Sequence, residues 1–193
     1  MTSIAVLGNT PLARAIRNDL GPQDGPADVL WVCDSREYVR ARPGQLVILS
    51  WPQPVGNCAR WERANPAVSF AVVVENIRER DESFKQPFLA VGVRGDVDVR
   101  VRLLDVLGPF TNRVFWMSPE SAEMTKCALN TFLATQVEFG NRLGEVCERV
   151  GADATDVVNA LRADPRIGEK AYLMPNGEPG PHLMREVERM AAL

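Results

Sequence analysis

The chain has 193 residues, 46% of them hydrophobic, with 22 lysines and arginines against 25 aspartates and glutamates and a net charge of −3. This length buries a real core and allows one to two domains. There is no basic excess to neutralise phosphates along a nucleic acid, and no apolar run approaches the roughly 20 residues needed to cross a bilayer. The opening MTSIAVLGNT starts a strand without a charged n-region or a cleavage site. The expectation is therefore a cytoplasmic protein with neither nucleic acid nor membrane as partner. Cys33, Cys58, Cys127 and Cys147 show no CxxC spacing, so they read as buried free thiols rather than metal ligands.

Taken in chain order, short apolar runs alternate with helical patterns, the mark of a parallel α/β sheet. Ser3 to Leu7 is the first strand. Thr10-Pro11 then supplies a capping hydroxyl and a proline suited to a first helical position, and the helix through Leu12, Ala13, Ile16 and Leu20 stops at Gly21. Further strands are expected at Val29 to Cys33, Leu46 to Ser50, Val68 to Val74, Leu89 to Val93 and Arg113 to Trp116, continuous apolar runs of the kind buried on both faces. Val97 to Leu107 mixes helix and strand periods and is read as a helix from its neighbours.

After the last strand, Ser118 can cap, Pro119 fits a first turn, and Glu120 and Glu123 put negative charge near the positive end of a helix. Apolar residues from Met124 through Phe132, Phe139, Val146 and Val150 then recur at spacings of three and four over about 32 residues, roughly 48 Å of helix. Gly151 ends it, Asp153 can cap a helix from Ala154 to Leu161, Pro175 to Pro181 is a loop, and His182 to Met190 is a last short helix. These elements predict a shortened Rossmann-like parallel sheet over 1–117 and a helical, dimer-forming segment with one long helix over 118–193.

The first candidate site is the turn after strand one, where a dinucleotide fold uses glycines to bring backbone close to a pyrophosphate at a helix N-terminus. Here it reads Gly8-Asn9-Thr10-Pro11-Leu12-Ala13. Only the first glycine of GxGxxG is present, and Pro11 removes an N–H donor. Asp34 stands at a strand end 26 residues after Gly8, a spacing that lets it hold a ribose.

Ser121 to Gly168 reads SAEMTKCALNTFLATQVEFGNRLGEVCERVGADATDVVNALRADPRIG. It resembles the central helical segment of the UDP-glucose/GDP-mannose dehydrogenases, in Ala122-Glu123-Met124-x-Lys126-x-x-x-Asn130, in Val150-Gly151-Ala152-Asp153 and in Asp164-Pro165-Arg166-Ile167-Gly168. Ser50-Trp51-Pro52-Gln53-Pro54-Val55-Gly56-Asn57 resembles the family's hydroxyl-rich turn and PVGT, with Trp51 and Asn57 in place of small hydroxylic residues. Val74-Glu75-Asn76-Ile77-Arg78 resembles its PENLR-type segment. Family members place two strands and a helix before the stretch that Ala27 to Val32 resembles, whereas only Gly21 to Pro26 intervenes here. Two readings follow. Either Asp34 is the ribose ligand, or Ala27 to Val32 is the fourth family strand, the adenosine half of the sheet is absent, and strand one is an edge. Members also carry a second nucleotide-binding domain, while this sequence ends at Leu193, soon after the helical segment.

The resemblance implies roles for particular residues. Gly8, Asn9, Thr10, Asp34 and Ser50 would contact NAD; Glu75 would position a catalytic water; Lys126 and Asn130, four apart on one helix face, would contact the sugar and the oxyanion formed on oxidation. Arg166 would reach a neighbouring subunit's site, and Arg185 would stand at a substrate-binding lysine position. The family's nucleophilic cysteine, which carries a thiohemiacetal and a thioester, is replaced by His182 in Pro179-Gly180-Pro181-His182-Leu183-Met184-Arg185-Glu186. Imidazole cannot form that thioester, though it could act as a general base for a single step. The reading that results is a nucleotide-sugar dehydrogenase-like protein with impaired or lost activity, binding a nucleotide sugar and forming a homodimer through residues 119–150. The alternative is a non-catalytic dimeric scaffold or partner-binding homologue.

Overall fold

The computed structural model describes residues 2–23, 26–35, 39–76, 81–95 and 97–193. The chain divides into two compact units, Met1–Lys126 and Cys127–Leu193. The first contains a six-stranded sheet in the order β1 (Ile4–Leu7), β2 (Val29–Val32), β3 (Leu46–Leu49), β4 (Ser69–Val73), β5 (Leu89–Val93) and β6 (Val114–Met117). The first four strands are parallel, and β3 is buried along its whole length, as expected for a strand covered on both faces.

Two features depart from a uniform parallel sheet. β5 runs antiparallel to β4, and β6 is parallel to β5. A parallel return needs a crossover, and the described residues between β4 and β5 contain no helix, so the chain comes back beside β4 in the opposite direction. Among the described residues β1 has a neighbour on one side only. Strand one is therefore an edge, and residues 27–32 form the strand next to it rather than one separated from it by an adenosine half.

Helices cover both faces. On one side α1 (Pro11–Leu20) and α3 (Val97–Leu107) pack over Trp31, Phe84 and Phe110, whose rings meet at centroid distances of 5.3 to 5.7 Å. On the other, α2 (Asn57–Ala64) and the first turns of α4 (Pro119–Val150) cover Val47, Leu49, Phe70 and Val72, with Trp51 and Trp61 packed against them. α4 starts directly over β5. A Cβ at Gly92 would lie 2.7 Å from Pro119 Cα and 2.8 Å from Ser118 O, so only glycine lets the helix sit this low on the sheet.

In the second unit the remainder of α4 packs with α5 (Ala154–Ala163) around Val158, Ala171, Leu173, Leu143 and Leu161. Gly140 lets the loop backbone at Leu173 touch the helix, since a Cβ there would meet Leu173 O at 2.6 Å. Asn141 fixes the following turn, donating to Gly177 O at 2.8 Å and accepting from Gly177 N at 2.9 Å. The last helix, α6 (Pro181–Ala191), closes the chain. All four cysteines are free and buried, and burial pushes the Cys33 and Cys58 thiols far up. No helix among the described residues is long and apolar enough to cross a membrane, and none of their His, Cys, Asp and Glu side chains form a metal-binding group.

Candidate functional site

Glu75 follows the C-terminal end of β4, where the four parallel strands present their turns, and Lys126 reaches it from the second turn of α4. The Lys126 Nζ donates to the Glu75 carbonyl at 2.8 Å and pairs with Glu75 Oε1 at 3.1 Å. Both side chains are largely buried, at 16% and 10% exposure, so solvent screens the pair only weakly. An ammonium has three N–H donors, and two are directed at Glu75. Asn130 lies one turn further along α4, buried, in the second unit. Asn76, beside Glu75, has a buried Oδ1 without a partner among the described residues. Ile77 and Arg78 lie outside the described residues.

A residue read from the sequence only as a helix-end charge anchors this region. Glu123 is buried, and its carboxylate accepts from Gly56 N at 2.5 Å and from Cys58 N at 2.8 Å. It caps α2, whose N-cap residue Gly56 has no side chain to do so, and thereby ties the Trp51 to Gly56 turn to α4. Removing it orphans two buried donors. Glu123→Ala is expected to cost about 2–4 kcal/mol, lowering the calorimetric melting temperature by roughly 4–16 °C.

Burial raises the Glu123 carboxyl above 4.5, against the downward pull of the two N–H groups. The folded state therefore binds this proton more tightly than the unfolded state. The contribution is complete below pH 4.5 and is lost as pH rises through the raised value. Glu120, on the same turn, is lowered by a hydrogen bond from its own backbone and by Arg94, which also pairs with Glu62.

The turn after β1 does not fit the pyrophosphate and adenosine of a dinucleotide. Gly8 has φ +111°, and a Cβ there would lie 3.0 Å from Asp34 Cβ, so Asp34 closes against the turn from the β2 side. Thr10 Oγ1 accepts from Ala13 N at 3.2 Å and donates to Cys33 O at 3.3 Å. Pro11 has no N–H, and that of Ala13 is taken by Thr10, so two of the donors a phosphate would use at this helix end are gone. Asn9 is exposed. Ser50 is fully engaged in the core, accepting from Trp31 Nε1 at 2.9 Å and donating to Val73 O at 3.0 Å.

The other expected site residues lie in the second unit, each in its own setting. His182 is exposed in the first turn of α6, its ring beside Gly180. Arg185 and Arg189 both pair with Glu186, a carboxylate only 1% exposed, at 3.0 and 2.7 Å. Arg166 is exposed and bidentate to Asp164, whose carboxyl its hydrogen bonds hold below the usual range.

Residues 120–190 match the central domain of the UDP-glucose/GDP-mannose dehydrogenase family. A UDP-glucose 6-dehydrogenase of Rhizobium meliloti is 34% identical over 162 residues, covering 76% of this chain and 37% of that protein. This chain belongs to the UDP-glucose/GDP-mannose dehydrogenase family. It spans a little over a third of the length of the curated relatives that match most of it. Among solved structures, a UDP-glucose dehydrogenase from Pyrobaculum islandicum is similar with a TM-score of 0.70 at 24% identity, covering 86% of this chain and 46% of that one. A Mycobacterium tuberculosis 3-hydroxyisobutyrate dehydrogenase with L-serine is similar over all of this chain and 86% of its own, with a TM-score of 0.74 at 14% identity. At these identities the structural likenesses carry the fold alone. Lys126 and Asn130 lie within the residues that match the family's central domain, and Glu75 lies before them.

Proposed function

We propose that this is a nucleotide-sugar dehydrogenase-like protein that keeps its family's sugar-side lysine, Lys126, held by Glu75, and has lost NAD-driven oxidation to the acid. The observation that carries the proposal is the contact between Glu75 and Lys126, residues 51 apart in sequence, at the C-terminal edge of the parallel strands. In open α/β sheets this edge is where ligands sit. The third N–H of Lys126 suits a hydroxyl or carbonyl oxygen, because its charge is already balanced by Glu75. On the cofactor side, the edge position of β1, the Thr10 cap and Pro11 support weak or absent NAD binding. His182 in the nucleophile position supports loss of the thioester route. The protein is further proposed to be a homodimer through α4.

Thermal shift and calorimetric titration test this directly, since a ligand of the native state raises stability with concentration over Kd. UDP-glucose or GDP-mannose is expected to raise the melting temperature. NAD is expected to bind more weakly than about 1 mM, equivalent to less than about 4 kcal/mol. No NADH should accumulate with either sugar nucleotide. Micromolar NAD affinity, or steady NADH production abolished in His182→Ala, would overturn the reading.

A further inference from the structure

Among the described residues the outer edge of β1 has no neighbouring strand, and it is apart from the Glu75–Lys126 pair. Ser3 O and Leu7 O accept from Val29 N and Cys33 N of the β2 segment, so the backbone N–H and C=O groups of the alternate residues Ile4 and Val6 face away from β2. The carbonyls of Val6 and of Gly8, in the turn after the strand, are held at 2.8 and 2.7 Å by one group, the exposed guanidinium of Arg17 from α1. Beside this edge, under α1, runs a groove of about 560 Å³ lined by Ile4, Val6, Arg17, Leu20, Gly21 and Pro22 among others. It lies on the same face of the sheet as the core beneath α1, to which Ile4 belongs and against which Val6 packs. Edge strands are templates for added strands, and a cation across the edge is a usual guard against this.

We propose that the β1 edge is a docking site for an extended acidic segment of another polypeptide, which adds as a seventh strand. Its backbone would pair with Ile4 and Val6, spaced about 6.7 Å apart as alternate residues. One apolar side chain would enter the groove beside Ile4, and a carboxylate two residues away would draw Arg17 off the two carbonyls. Arg17 then acts as a latch, exchanging carbonyl oxygens for a carboxylate, which makes the stronger charge-assisted bond. A second copy of this chain is disfavoured as occupant. Twofold pairing of two β1 edges would set Arg17 against its own counterpart, with the exposed Arg14 nearby on each copy.

The test uses a fluorescein-labelled peptide, Val-Thr-Val-Thr-Glu-Thr, whose Val and Glu side chains share one face, followed by fluorescence anisotropy. The protein should bind it saturably, and a peptide with Lys in place of Glu should bind at least about tenfold more weakly. Val6→Pro removes an outward N–H at a position where an edge strand tolerates proline, and should weaken binding at least about tenfold. Arg17→Glu should reverse the preference, so that the Lys peptide binds better, which keeps the test decisive if Val6→Pro fails to fold. Absence of saturable binding, equal binding by Val6→Pro, or an unchanged preference in Arg17→Glu would overturn the proposal. Self-association abolished by Val6→Pro would do so too, by making a second copy the occupant.

Discussion

Replacing Phe132 and Phe139 together with aspartate is expected to turn the protein into a monomer, or an aggregate, at micromolar concentration. The two rings stand seven residues apart on α4 at 62% and 50% exposure, and Val146, a further seven along, is also exposed. A repeat of seven keeps these side chains on one stripe of the helix, and such a stripe left open to water exceeds what single surface hydrophobics explain. Burying a phenylalanine contributes roughly 1.5–3 kcal/mol, and an isologous contact buries four of them. The double replacement removes all four, about 6–12 kcal/mol, and buries unpaired carboxylates besides, which weakens the dimer by at least about a thousandfold. Sedimentation velocity checks the result. An unmodified protein that sediments as a stable monomer would show the stripe to be covered in some other way.

Most elements of the fold can be read from the sequence because their determinants are local. Thr10 before Pro11, Asp153 before Ala154 and Gly151 after Val150 are caps within a few residues of the ends they set, and each does so in the structure. Leu89 to Val93 and Val97 to Leu107 have the expected bounds. What could not be read depends on distant partners. α2 has one buried apolar residue, Cys58, and a glycine at its N-cap. Its cap is Glu123, 67 residues from Gly56, so no window of sequence around α2 contains it. The reversal of β5 is likewise set by how the chain returns from β4, not by any pattern in Leu89 to Val93, which would suit either direction.

The site divides along the same line. The Lys126 to Asn130 spacing and the Glu75 segment could be found by resemblance, because each lies in a short matching run. Their meeting could not, since the contact joins a strand end to a helix 51 residues away. Ser50 shows the opposite case. A resemblance put it near a cofactor, and Trp31, a residue with no signal of its own in the sequence, takes its hydroxyl into the core.

Lys126→Met is expected to lower stability by about 3–5 kcal/mol, far more than loss of a surface lysine, because it leaves Glu75 as an uncompensated buried charge. At 2–4 °C per kcal/mol for a chain of this size, the melting temperature should fall by roughly 6–20 °C. Glu75→Gln in the same chain removes that charge and should restore at least about half of the loss. Recovery stays incomplete because the Glu75 carbonyl, which accepts from Lys126 Nζ at 2.8 Å, remains without its donor in both variants. The coupling read from the double-mutant cycle therefore isolates the carboxylate contact at 3.1 Å. It should exceed about 1 kcal/mol, beyond the 0.3–0.5 kcal/mol scatter of independent sites. Effects that simply add would mean that the two side chains do not pair in solution. The same double variant should also fail to gain stability from UDP-glucose, since a restored fold without the ammonium lacks the donor proposed for the sugar, whereas a retained thermal shift would overturn that proposal.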